Sequence, residues 1–278
     1  MRKLVIALLC IVSIPSFSQN LRLNFMGGLS NYYGELQTKK LTFQQANGVV
    51  GVGASIDLSN KLLLRGDLLF SKLGADDKKG LYPVRNLNFK TNITEFDLLA
   101  EYNLFDLSEK RFTPYIFAGV GVYKFNPYTF DSANRKVYLA PLGTEGQGLP
   151  QYPDRRIYKT TQINFPVGGG LKYAISEDVQ FSFEYGLRIT TTDYLDDVSK
   201  TYVDRDVLLN ARGPLAVDLA YRGDEVKNNP GTYPRDGSMR GSPRVQDLYY
   251  FGLARLSIRM NWFEDRGYGR RNKMGCPW

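Results

Sequence analysis

Nine charged residues fall on one face of alternating segments: Arg65, Asp67, Glu95, Asp97, Glu101, Glu184, Arg188, Arg255 and Arg259. Two chemistries are open to such a set. Paired carboxylates act as acid and base in glycoside hydrolysis, but only across a cleft that admits a sugar. Arginines facing carboxylates instead form charge-assisted hydrogen bonds that fill an interior without reacting. Histidine is absent from all 278 residues. That removes the Ser-His-Asp and Cys-His arrangements, the most used general base and the commonest metal ligand. Neither an enzyme nor a bound cofactor is expected.

One more group is reactive by type. Cys276 is the third residue from the end, in the run Arg271-Asn272-Lys273-Met274-Gly275-Cys276-Pro277-Trp278. The other cysteine, Cys10, lies in the apolar run Leu4 to Val12, behind Arg2 and Lys3 and ahead of Ser16-Phe17-Ser18. A basic start, a short apolar run and small residues make a secretory signal peptide, with cleavage after Ser18. The run is short of the ~20 residues a spanning helix needs. An acylated Cys10 is disfavoured because Leu9 sits where a small residue is wanted. Export leaves Cys276 as the one cysteine in an oxidising compartment, hence an intermolecular disulfide or a free thiol. Arg270, Arg271 and Lys273 favour its thiolate. A disordered end with an incidental thiol is the plainer reading.

The elements that must position the charges are strands. Eight segments alternate with period two: Leu21 to Tyr33, Gly48 to Leu58, Lys61 to Leu73, Phe89 to Leu104, Pro114 to Phe125, Tyr158 to Ala174, Val179 to Tyr194 and Asp247 to Trp262. In the fourth, Phe96, Leu98, Ala100, Tyr102 and Leu104 face one way, and Glu95, Asp97 and Glu101 the other. The fifth has two plausible faces, because glycine and apolar residues share both. Short turns join segments two to three, four to five and six to seven. Longer polar stretches join the others, with Leu195 to Gln246 the longest.

That pattern predicts an all-β, eight-stranded antiparallel transmembrane barrel of the OmpA-like kind, with long extracellular loops and short periplasmic turns. A soluble sandwich or lipocalin-like barrel also alternates. Tyr and Phe near the strand ends and charges on the opposite face argue for the membrane, since a soluble core does not tolerate unpaired charge. No mature stretch approaches the 18 apolar residues of a membrane helix. The formal charge of +8 falls to +6 when Arg2 and Lys3 leave, with no basic aromatic tract for nucleic acid. In so narrow a barrel side chains fill the lumen, so a plug is expected rather than a pore or a sugar cleft. Its four arginines and five acids should pair, Arg65 with Glu101 and Glu184 with Arg255 among them.

Three stretches carry a family resemblance. They are Gly27 to Leu36, which includes Asn31-Tyr32-Tyr33-Gly34, Pro141 to Gly148, which includes Gly143-Thr144-Glu145-Gly146, and Thr192 to Ser199, which includes Asp193-Tyr194 and Asp196-Asp197. With the Cys-Pro near the end, they resemble the PorG-like outer-membrane barrels of the type IX secretion and gliding machinery. The resemblance implies a barrel that anchors a periplasmic ring lipoprotein, together with other secretion-complex subunits, and carries no cargo. It implies outer-membrane lipid as surroundings and no small-molecule substrate. The expected organisation is a signal peptide over 1–18, a barrel over 19–262 and a periplasmic tail over 263–278. That tail would be a docking arm with Cys276 bonded to the ring. The alternative function is a general small surface barrel that binds envelope components or external ligands through its loops.

Overall fold

The computed structural model describes residues 21–38, 42–227, 231–242 and 246–260. Ten strands appear in chain order: β1 (Leu21–Tyr33), β2 (Asn47–Asp57), β3 (Leu62–Asp76), β4 (Asn88–Asn103), β5 (Phe112–Lys124), β6 (Tyr128–Phe130), β7 (Lys136–Tyr138), β8 (Thr161–Ala174), β9 (Val179–Thr190) and β10 (Leu248–Arg259). Eight of them, all but the short β6 and β7, pair antiparallel with both neighbours. The ring closes where β1 meets β10, from Arg22 opposite Arg259 to Tyr33 opposite Leu248. Closure leaves none of the eight strands with an open edge, the condition for a sheet to stand in lipid.

The eight expected segments are the eight barrel strands. They run from 11 residues in β2 to 16 in β4. A tilted crossing takes ~9–11, so the longer strands project beyond the bilayer. The seventh segment stops at Thr190, short of Tyr194, because the chain there leaves the wall for the loops. The ambiguous fifth is settled by its neighbour. Glu101 stands opposite Phe117, Glu95 opposite Tyr123 and Leu98 opposite Val120. Opposed residues share a face, so the inward charges of β4 draw Tyr115, Phe117 and Tyr123 inward and leave Ile116, Val120 and Val122 outside. The outward face is an apolar belt that includes Phe25, Val52, Leu64, Phe96, Ile116 and Phe183. Tyr102, Phe112 and Tyr173 lie on it near one rim.

Turns 58–61, 104–111 and 175–178 lie at that rim, and connections 34–46, 77–87, 125–160 and 191–247 at the other. The last of these is folded. Helix α1 (Arg205–Arg212) is capped by Asp204, whose carboxylate accepts from the Asp206 and Val207 amides. Gly213 ends it and Pro214 starts α2 (Pro214–Ala220). Leu208, Ala216, Val217 and Ala220 pack with Val203 into a small core of their own. In a Cys276→Ser background, a large impermeant maleimide should label Asp206→Cys on intact cells and Asn60→Cys only after permeabilisation. The reverse pattern would invert the orientation.

Candidate functional site

The lumen holds two layers of charge. In the layer nearer the short turns, Arg65 is the hub. Its Nη1 donates to Glu101 Oε2 (3.1 Å) and Glu184 Oε2 (2.8 Å), its Nη2 donates to Glu184 Oε1 (3.2 Å), and its Nε is 2.7 Å from Asp67. Arg255 donates to Glu101 Oε2 at 2.8 Å and to Ser182 Oγ at 3.1 Å. Lys172 pairs with Glu101 and donates to Asn103 Oδ1 at 3.1 Å. Tyr115 donates its hydroxyl to Glu184 at 2.8 Å. Every one of these carboxylates is at least nine-tenths buried.

In the second layer, Arg188 donates to Glu95 Oε1 at 3.0 Å and lies 3.5 Å from Asp97. Asn164 donates to Glu95 Oε2 at 3.1 Å, and the Tyr249 hydroxyl donates to the same oxygen. The Arg188 guanidinium also lies over the Phe251 ring, 4.2 Å from its centroid. Tyr123, Phe125, Tyr249 and Phe251 belong to the main apolar cluster towards the long loops.

Two expectations are corrected. Glu184 takes Arg65, bidentately, as its main partner, and Arg255 stands 3.6 Å off. The side chains cross the lumen, so strand adjacency does not decide who pairs. Arg259 lies outside the closed network. It stands at the short-turn mouth, 3.8 Å from Asp178, and lines a cavity of about 720 Å³ with Arg22, Asp57, Arg111 and Glu177. Lys172 takes its place in the lumen. Its inward position follows from alternation with Leu171 and Tyr173, a signal blurred by Pro166 and the Gly168-Gly169-Gly170 run.

Above the lumen the long connections form a cap, and there the three resemblance stretches meet. Glu145 is wholly buried. It accepts from the Ser199 amide (3.0 Å), the Lys200 amide (3.0 Å) and Arg240 Nη1 (3.0 Å). Thr144 donates to Asp197 Oδ2 at 2.6 Å, and Tyr158 donates to Asp197 Oδ1 at 2.7 Å. Tyr194 stacks on Tyr158 at 4.8 Å. Asp196 takes the Val198 amide at 2.8 Å and lies 2.7 Å from the Tyr32 hydroxyl. Asp193 accepts from Ser199 Oγ at 2.7 Å.

Asn31 donates to the Thr42 carbonyl at 2.6 Å and so ties down the first loop. Tyr33 lies outside this assembly, on the other face of β1 from Tyr32. Gly143 and Gly146 hold positive φ, at 55° and 75°. A Cβ on Gly34 would collide with the Tyr32 hydroxyl and the Asp247 carboxylate, which is why that position is glycine. Arg240 was not visible as a member beforehand, because its loop carries no period to read; Glu35 stood only within the first resemblance stretch, and Tyr158 and Asp247 only as strand starts.

Burial pushes Asp196 up to about 7 and Asp197 up to about 6, against the pull of Arg85 on the first and Arg240 on the second. Burial alone would lower Arg240, but Glu145 and Asp197 outweigh it and hold the guanidinium high.

A small closed barrel with a filled lumen, a lipid-facing belt and a folded cap on its long-loop rim is an integral outer-membrane protein. Its sequence matches the outer membrane protein beta-barrel domain over residues 4–206, well over half the chain, and the protein belongs to that family. It is similar to neisserial surface protein A, with TM-score 0.42 and 9% identity over 86% of this chain and 97% of that one. A major outer membrane protein from Thermus thermophilus gives 0.41 and 12%, over 86% and 99%. OprG from Pseudomonas aeruginosa gives 0.39 and 9%, over 89% and 100%. Likenesses this distant say nothing of what the chain binds. No curated protein matches it.

Removing the Arg65 side chain leaves three buried acids short of a partner, at a cost of ~3–5 kcal/mol for a broken buried pair. Arg65→Met should therefore lower the unfolding temperature in detergent more than Glu184→Gln, which keeps polar contacts. An unchanged transition in Arg65→Met would refute the hub. In the cap, Asp196 and Asp197 hold protons in the folded state where the unfolded chain, with an ordinary value of 3.8, has lost them. Stability from these groups is present below pH ~4 and falls as pH rises through ~7. Hydrogen-exchange protection of residues 195–199, corrected for intrinsic rate in buffer freed of divalent ions, should decline across that window. A rise would contradict it.

Proposed function

We propose that this protein is a non-enzymatic outer-membrane subunit of a type IX-like secretion apparatus, anchoring a periplasmic ring lipoprotein to the membrane. One observation carries the reading. The stretches that resemble the PorG-like barrels, distant in sequence, supply the buried bonds of a single cap through Tyr32, Thr144, Glu145, Asp193, Asp196 and Asp197. Residues that share a structural task in this way are what a family pattern should contain. The lumen acids support a scaffold over a catalyst, since they are bonded to guanidinium groups and buried. The same packing supports a barrel that passes no cargo through itself.

Cys276 and the basic tail lie outside the described residues. The disulfide to the ring lipoprotein stays part of this proposal on the strength of the odd thiol and the resemblance. The second reading is a general surface barrel, favoured by the family match and by a cap that presents α1 outwards. Deleting the gene should abolish export of type IX cargo, and the tagged barrel should co-purify with a ring lipoprotein. Cys276→Ser should remove a reducible high-mass species from non-reducing gels of native membranes and leave the barrel folded. Normal cargo export in the deletion strain would reject the secretion role and leave the surface barrel.

A further inference from the structure

A second group of acids in the cap is only partly absorbed by the bonds that hold it together. Glu35 follows β1, Asp193 and Asp196 follow β9, and Asp247 precedes β10. One carboxylate oxygen from each of Glu35, Asp193 and Asp247 lies within 4.8 Å of the others. Calcium holds its oxygens at 2.3–2.6 Å, so two of its ligands are never more than about 5 Å apart. The spacing meets that limit.

The second observation is independent of the clustering. Glu35 is only 8% exposed, yet its Oε2 has no hydrogen-bond donor, and Asp193 Oδ1 has none either. The donors present are spent elsewhere. Ser242 reaches only Glu35 Oε1 (3.3 Å), Ser199 only Asp193 Oδ2 (2.7 Å), and Leu195 only Asp247 Oδ2 (2.8 Å). The Tyr32 hydroxyl lies 2.7 Å from Asp196 and 2.6 Å from Asp247, but a phenol has one proton to give. Arg85 is committed to Asp77, with two bonds of 2.7 Å. Three buried acids and the half-buried Asp193 thus face too little positive charge, a costly state unless a proton or a cation enters.

We propose that Glu35, Asp193 and Asp247 bind a divalent cation of the calcium class in the extracellular cap. The donors are all carboxylate oxygens, hard ligands suited to calcium rather than to a softer transition metal. They sit on irregular loop backbone, which suits the flexible shell of calcium better than the strict octahedron of magnesium. Bound there, the ion joins the first loop to both ends of the last, and compensates the charge that Tyr32 alone cannot. The site stands apart from any secretion role and survives its rejection.

The test uses the full-length protein in detergent, stripped with chelator and then titrated with terbium, which Tyr32 beside the site can sensitise. One ion per chain should bind and be displaced by calcium, and calcium should raise the unfolding temperature. Asp193→Asn should weaken binding about tenfold or more, as loss of a charged ligand does. Glu35→Gln should do the same, and if it fails to fold, the half-buried Asp193 keeps the test standing. Binding that is equal in wild type and both variants would mean an adventitious ion only. No binding or stabilisation at millimolar calcium would mean that protons alone hold the cluster. Either result overturns the proposal.

Discussion

Closing eight strands into a ring leaves a space that side chains must fill, and everything else in this molecule follows from filling it with charge. Lipid demands an apolar outer face. If the inner face were apolar too, nothing would set which side of each strand looks inward. The buried acids Asp67, Glu95, Asp97, Glu101 and Glu184 settle it. A one-residue slip of β4 would turn Glu95, Asp97 and Glu101 into the bilayer, since strand side chains alternate. Charged side chains at that depth are expensive. Arg65, Lys172, Arg188 and Arg255 make the inward placement tolerable by pairing with those acids across the lumen.

The wall and the cap are one construction. The aromatic layer of Tyr123, Phe125, Tyr249 and Phe251 lies between the lumen charges and the long loops. Tyr32, on β1, reaches from the wall to Asp196 and Asp247 in the cap. Loops this long would ordinarily be mobile, but their buried backbone groups find partners in Glu145, Asp196 and Asp247. The described parts of the loops are thereby bonded to one another and to the wall.

Glu145 and the acids near Tyr32 illustrate two ways of burying a carboxylate. Glu145 is surrounded by donors and a guanidinium, and its charge is fully answered. Glu35, Asp193 and Asp247 have fewer donors than oxygens. The first arrangement is a structural bolt. The second is poised to take something up.

Much of this was legible beforehand. Period-two alternation in an exported chain with no helix-length apolar run determined the barrel, its strand count and its charged interior, because each strand reports its two faces independently. The bounds of β1, β2 and β4 followed from the same signal to within one residue. Only the closed ring decided that Glu184 goes to Arg65, that Lys172 pairs with Glu101 and that Arg259 stands at the mouth. Those outcomes depend on reach across the lumen, which no single strand records. How the parts of the cap meet was decided in three dimensions. Apart from Asn31 and Tyr32 on β1, its members come from loops that have no period, and their partners lie up to 215 residues away, as Tyr32 and Asp247 do. Local pattern specifies which way a side chain points, whereas meeting across such distances depends on how the whole chain closes.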